Sequence, residues 1–326
     1  MDTIDVAILL PEIETIPNIS WEVRPTARVL VTGTGSPAAY TVLDSLREYD
    51  YRLVGTDMNP QSYGRFHCDA FYTSLRGDHP NFANPMLDLI SREKIDVVLP
   101  PITDELIAWS KLKSILDGIN VPVLVTNRNA IEACLSKAET YKLAEKLNIP
   151  VLPWFASHGA IRKPVYGKGS RGLEIYDFPA HNDFSVFVKK GEGDETSVDA
   201  LCKDGEILTC YARKRTRLRG GLHYSHEVID APLLVDYTKT LVEYLNYDWF
   251  INVQFIGGYL SEVNPRPSTI ITWGEFNLPH LAVQLALGVL TPDDVKGINP
   301  LPIGLKSFYH HAQITYLEEQ WPVGEL

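Results

Sequence analysis

The stretch Asn252-Val253-Gln254-Phe255-Ile256-Gly257-Gly258-Tyr259-Leu260-Ser261-Glu262-Val263-Asn264-Pro265-Arg266-Pro267-Ser268 decides the reading of this chain. Two apolar-alternating runs, 250–255 and 259–263, meet at Gly257-Gly258, which is the pattern of a β-hairpin. Side chains alternate faces along a strand, so Glu262 and Asn264, with Arg266 beyond, are expected to point one way together with Leu260. Ser261 and Val263 are expected on the other face. Gln254, across the hairpin, can converge on them. The result is one carboxylate, two carboxamides and one guanidinium. Hard oxygen donors of this kind suit magnesium, which shares its ligands with nucleotide phosphates. A guanidinium beyond the metal can fork onto a phosphate or carboxylate.

Outward from the hairpin, the N-terminal side is read as alternating strands and helices. Strands are expected at 28–32, 52–56, 95–100 and 121–125. Helices are expected at about 38–49, 84–93, 104–116 and, as one or two pieces, 129–148. Apolar strands separated by helices predict a doubly wound parallel sheet. Residues 151–230 carry more glycine and charge and short alternating strands; a helix follows at 231–244, and a last helix at 279–287 precedes a proline-rich tail. Gly33-Thr34-Gly35-Ser36-Pro37-Ala38 after the first strand, with Asp57 ending the second, mimics a dinucleotide fingerprint, though Pro37 interrupts it.

Bulk composition narrows the class. The chain has 326 residues, 45% of them hydrophobic, and a formal net charge of -11. It can bury a sizeable core, and its charge disfavours a polyanionic nucleic-acid partner. Four scattered cysteines, Cys68, Cys134, Cys202 and Cys210, form no metal-ligand spacing and suit a reducing, cytoplasmic setting. The sequence shows no apolar run of membrane-spanning length and no signal peptide, and the expectation is a soluble protein that does not engage membrane.

The string Asn-Val-Gln-Phe followed by Glu-x-Asn-Pro-Arg is similar to the metal-binding strands of the ATP-grasp superfamily. It most resembles the synthetase halves of the carbamoyl-phosphate synthase large chain and related small carboxylate–amine ligases. The resemblance covers roughly residues 28–290. It implies an α/β chain with a Rossmann-like lobe ahead of an ATP-grasp domain of two α+β sub-lobes. The expected divisions are 1–26, an extension; 27–130, the Rossmann-like lobe; 131–190, the small lobe; and 191–326, the large lobe with the metal site. By the resemblance Gln254, Glu262 and Asn264 would hold Mg2+, or Mn2+, on the phosphates of ATP, and Arg266 would reach the transferred phosphoryl group or the acyl-phosphate.

Further segments fit the same family. Lys163 followed by Gly167, Gly169 and Ser170 resembles its phosphate lysine and glycine-rich loop, where glycines admit backbone N–H groups to phosphate oxygens. Ser136-Lys137 resembles the segment that introduces the grasp domain, with Lys137 on the nucleotide. By the resemblance Phe187-Val188-Lys189-Lys190 would stand at the adenine hinge, and Gly193-Asp194-Glu195 would bring Glu195 near the ribose. Arg213, Arg215, Arg217 and Arg219 would share one face of a strand, and Arg215 is taken as a nucleotide contact. The expected chemistry is an ATP-dependent joining of a small carboxylate, such as an amino acid, to an amine, with Lys163 and Arg266 as the catalytic pair. A homodimer is compatible with this expectation. The stretches 151–162 and 173–188 are short for the family and Lys189 replaces an acidic hinge residue. These departures keep open a non-catalytic or partner-dependent ATP-binding module. The Gly33–Asp57 pattern keeps open a nicotinamide oxidoreductase.

Overall fold

In the computed structural model, residues 26–152, 154, 160–164, 174–176, 185–189, 192–219, 222–308 and 323–325 are described. For 160–164, 174–176, 185–189, 216–219, 222–224 and 325 this covers the backbone alone. The expected extension lies outside them save for Thr26.

The first sheet is built from β1 (Ala27–Thr32), β2 (Tyr51–Asp57), β3 (Ala70–Thr73) and β4 (Val97–Leu99), joined at its edge by β14 (Gly324–Glu325). Its order is β14-β3-β2-β1-β4, with parallel pairing throughout. Alternation along β1 explains how both faces are buried. Val29 and Val31 pack on one side with α1 (Pro37–Leu46), and Leu30 packs on the other with α2 (Ala83–Glu93) and α3 (Leu106–Asp117). The chain moves outward from β1 in one direction through β2 and β3, then returns to its other side as β4. The loops after β1 and β4 therefore flank a topological switch point. Ser36 starts α1 by accepting a hydrogen bond from the Ala39 amide, with Pro37 at the first helical position.

Two expectations change here. The strand expected at 121–125 shortens to one parallel bridge, Val98 to Val123. Pro122 has no N–H, so it offers β4 only its carbonyl, which accepts from the Val98 amide. Strand β3 was not expected. Its short Ala-Phe-Tyr-Thr run carries little periodicity and is fixed by pairing with β2.

The second sheet has three strands, β5 (Ala160–Pro164), β6 (Glu174–Tyr176) and β7 (Ser185–Lys189), in the order β6-β5-β7. The third is the large one. It holds β8 (Glu195–Lys203), β9 (Glu206–Arg219), β10 (Leu222–Ile229), β11 (Trp249–Ile256), β12 (Tyr259–Asn264) and β13 (Lys306–Phe308), ordered β12-β11-β8-β9-β10-β13.

The two faces of this third sheet differ chemically. One is apolar. Val198, Ala200, Cys202, Ala212, Ile251, Val253, Phe255 and Val263 pack beneath α4 (Arg128–Leu135), α5 (Lys137–Lys146) and α6 (Pro232–Leu245). The opposite face is apolar only where Leu201, Tyr211 and Phe250 meet α7 (Leu278–Ala286) and the first lobe. Elsewhere it is polar, and the candidate site lies there. A short helix, α8 (Pro292–Lys296), follows α7, started by a capping box of Thr291 and Asp294.

Candidate active site

Register across the large sheet assembles the site in rows. Glu262 lies opposite Gln254, Gln254 opposite Ser197, and Ser197 opposite Arg213. One row along, Asn264 faces Asn252, Asn252 faces Asp199, and Asp199 faces Tyr211. In an antiparallel pair, opposed residues share a face. The sequence's convergence of Gln254, Glu262 and Asn264 is therefore a consequence of strand pairing, over the tight turn at Gly257 and Gly258, whose φ angles are 57° and 84°.

Leu260 does not share that face, contrary to expectation. It pairs with Phe255, while Glu262 pairs with Gln254, so the register shifts by one residue at Ser261. This β-bulge turns Leu260 into the apolar core beside Val263 and leaves Glu262 on the polar side.

The polar side is tightly bonded. Asn252 Nδ2 donates to Asp199 Oδ1 at 2.9 Å. Asn252 Oδ1 accepts from Gln254 Nε2 at 3.0 Å and from Asn264 Nδ2 at 3.3 Å. Arg213 is fully buried and donates through Nε to Asp199 Oδ2 at 2.7 Å. Ser268 Oγ donates to Asp199 Oδ1 at 2.9 Å and accepts from an Arg213 amino group at 2.6 Å. Arg266 donates through Nε to Thr103 Oγ1 at 2.9 Å and approaches Asn264 Oδ1 at 3.4 Å. Burial holds its guanidinium pKa below the ordinary arginine value, partly offset by the carboxylate of Glu262.

Helix α5 supplies the wall. Lys137, at its first turn behind the cap Ser136, places Nζ 3.9 Å from Glu262 Oε1. One turn later, Tyr141 donates its hydroxyl to the Ser261 carbonyl at 3.0 Å. Burial pushes the Tyr141 pKa up, and the charge on Glu262 adds to this.

On β9, Arg215 lies across from His226 and keeps an amino group 3.8 Å from Glu195. Burial and the neighbouring Arg213 hold its guanidinium below the usual range. Its buried Nε has no hydrogen-bond partner among the described residues. A desolvated cation with a spare N–H fits an anionic ligand. Of the four arginines expected on one face, Arg213 and Arg215 are placed there, and Asp199 neutralises the first. The side chains of Arg217, Arg219, Lys163 and Lys189 are not among those described, and Gly167, Gly169 and Ser170 lie outside the described residues.

Sequence reasoning missed Asn252, Asp199, Ser268 and Thr103 as site residues, and it placed Arg213 on the arginine face without its partner Asp199. Asn252 carries a local signal, since it stands two positions before Gln254 on the same strand. Asp199 and Thr103 belong to distant segments that only tertiary pairing brings in.

No group of three or more His, Cys, Asp or Glu side chains stands ready for a metal among the described residues. The expected set contains one carboxylate and two carboxamides. These are hard oxygens that match magnesium and offer nothing to softer metals.

A family model for "ATP-grasp in the biosynthetic pathway with Ter operon" matches residues 187–303, the segment that carries β8 to α8 and the polar rows. That segment of the chain resembles an ATP-grasp domain. Among curated proteins, it is similar to the carbamoyl phosphate synthase large chain of Agathobacter rectalis, at 28% identity over 50% of the chain and 17% of that protein. It is also similar to the corresponding chain of Clostridium botulinum, at 22% identity over 82% of the chain and 30% of that protein. The chain thus spans less than a third of these relatives' length. Two solved structures show the same ATP-grasp architecture. One is N5-carboxyaminoimidazole synthetase from Staphylococcus aureus, with a TM-score of 0.58 and 14% identity, over 79% of this chain and 77% of that one. The other is the biotin carboxylase domain of Hydrogenobacter thermophilus 2-oxoglutarate carboxylase, solved with MgADP, with a TM-score of 0.61 and 13% identity, over 80% and 69%. No helix among the described residues is long and apolar enough to cross a membrane.

Proposed function

We propose that this ATP-grasp chain is a magnesium- and ATP-dependent ligase. In this reading it activates a small carboxylate, such as an amino acid, as an acyl-phosphate and joins it to an amine, releasing ADP and phosphate. The observation that carries the proposal is the single polar row in which Glu262 and Gln254 stand opposed, with Asn264 and Arg266 beside them.

Gln254, Glu262 and Asn264 would hold magnesium, whose positive charge screens the triphosphate and orients it for in-line transfer. Lys137 and Arg215 would bind the nucleotide's phosphates, and Glu195 its ribose, with Lys163, Gly167, Gly169, Ser170 and Lys189 closing over it from the small lobe. Arg266, desolvated and aligned by Thr103, would hold the carboxylate against the terminal phosphate and accept the charge that develops there. No side-chain nucleophile is required. The rate enhancement comes from alignment and from electrostatic preorganisation.

The test is ADP release with amino acids supplied as paired acid and amine. ADP should appear only when both partners and magnesium are present, and Glu262→Ala should abolish it. Full activity in that variant would reject the assignment.

A further inference from the structure

We infer that Asp199 and Asn252 are positioning residues that dictate which end of each metal-site carboxamide faces the cleft; the inference rests on the magnesium reading above. A carboxamide has an oxygen that can bind a cation and a nitrogen that repels one, and its two orientations are nearly equal in shape. Something must choose between them at Gln254 and Asn264.

A chain of donors and acceptors makes that choice. Arg213 is fully buried and can only donate, so it holds Asp199 as a carboxylate through the 2.7 Å contact. A carboxylate can only accept. Asn252 therefore turns Nδ2 toward Asp199 and its Oδ1 the other way. That single oxygen takes hydrogen bonds from both Gln254 Nε2 and Asn264 Nδ2. Both nitrogens are thereby spent on Asn252, which turns both carbonyl oxygens away from it; the Asn264 oxygen is held outward by a further 3.4 Å hydrogen bond from Arg266. Ser268 closes the remaining valence of Asp199. Every link is buried or partly buried, so a reversed link leaves an unpaired polar atom at about 1–3 kcal/mol.

The polarity of the chain yields a result that packing alone does not. In Asp199→Asn, Arg213 Nε still demands an oxygen, so the new amide turns its nitrogen toward Asn252. Asn252 must flip, and its nitrogen then draws the oxygens of Gln254 and Asn264 away from the metal. Adding Asn252→Asp to this variant restores an acceptor on both sides. The pair has then simply exchanged its charge and its amide.

The experiment measures Mn2+ retention in the presence of ADP, read from the electron paramagnetic resonance signal of free Mn2+, on full-length protein shown to be folded by circular dichroism. Asp199→Asn should weaken Mn2+ binding about 10- to 100-fold, the usual effect of losing a group that orients metal ligands. The double variant should return to within about 3-fold of the parent, as expected for directly coupled residues. Parent-like binding by Asp199→Asn, or a double variant no tighter than the single, would overturn the inference. Should Asp199→Asn not fold, Asn252→Leu takes its place, with a loss of about 10-fold or more expected and parent-like binding counting against the inference. Glu262→Gln separates the two levels. If it retains Mn2+ as the parent does, the magnesium reading itself fails, and the inference falls with it.

Discussion

Arg266 Nε donates to Thr103 Oγ1 at 2.9 Å, and this bond ties the bend that follows β12 to the turn that follows β4. The contact places the switch point of the parallel sheet against the candidate site of the large sheet, which is where ligands of open α/β sheets collect. It also fixes the guanidinium, whose two amino groups donate to the Pro267 carbonyl at 2.9 Å and to Asn264 Oδ1 at 3.4 Å. Thr103→Val keeps the branched shape and removes the acceptor. We expect kcat/KM for acid-dependent ADP release to fall about 10-fold, which corresponds to about 1.4 kcal/mol. The melting temperature should stay near that of the parent. A steady-state ADP assay beside a thermal melt checks both.

Arg213 and Asp199 form a buried ion pair at 2.7 Å, with the arginine side chain fully covered and the aspartate 5% exposed. Arg213→Met keeps the length and apolar bulk of the side chain and strands the carboxylate. The expected destabilisation is about 3–5 kcal/mol, read as a lower urea midpoint at unchanged slope. Replacing both members by apolar residues should recover much of that loss while leaving magnesium-dependent turnover impaired.

Glu105 is a buried carboxyl whose pKa is raised by burial to about 7, against the opposing hydrogen bond from Trp109 Nε1 at 3.1 Å. Its folded value thus lies above its unfolded one. The stability it contributes is complete below about pH 4.5 and is lost as the pH rises through 7. The parent should therefore lose stability relative to Glu105→Gln between pH 5 and pH 8, by up to about 3 kcal/mol. Paired melting curves across that range test the sign. A parent that gains on the variant with rising pH would contradict it.

Asp57 spends one oxygen on the loop after β1 and the other on its own loop. Oδ2 accepts from the Gly35 amide at 2.7 Å, and Oδ1 from the Asn59 amide at 2.8 Å. In a dinucleotide site this carboxylate would serve a ribose and the Gly35 amide a phosphate. NADH fluorescence titration should accordingly show no saturable change, while MgATP should shift the melting temperature upward. Saturable NADH binding with no response to MgATP would favour the oxidoreductase alternative.

The parts of this architecture legible in the sequence are those whose signals are local. The parallel strands at β1, β2 and β4 are apolar runs closed by glycine, aspartate and proline in turn, and the hairpin of β11 and β12 is announced by Gly257-Gly258. Gln254, Glu262 and Asn264 converge because alternation and one turn suffice to bring them together. The bulge at Ser261 was invisible, because a register shift leaves no mark in the composition of either strand. Asp199 was invisible for a different reason. Its role depends on being opposite Asn252, and that pairing joins strands separated by about 50 residues. The orientation of a carboxamide is likewise a property of its neighbours and never of its letter.

Helix α5 touches β12 at two places one turn apart, through Lys137 to Glu262 and through Tyr141 to the Ser261 carbonyl. Two anchors at that spacing act as a splint. A single tether would let the strand pivot, whereas this pair resists both sliding and rotation of the bulged segment. The one carboxylate of the proposed metal set is thereby braced from outside the sheet, and Tyr141→Phe should loosen the aim of Glu262 without touching any ligand.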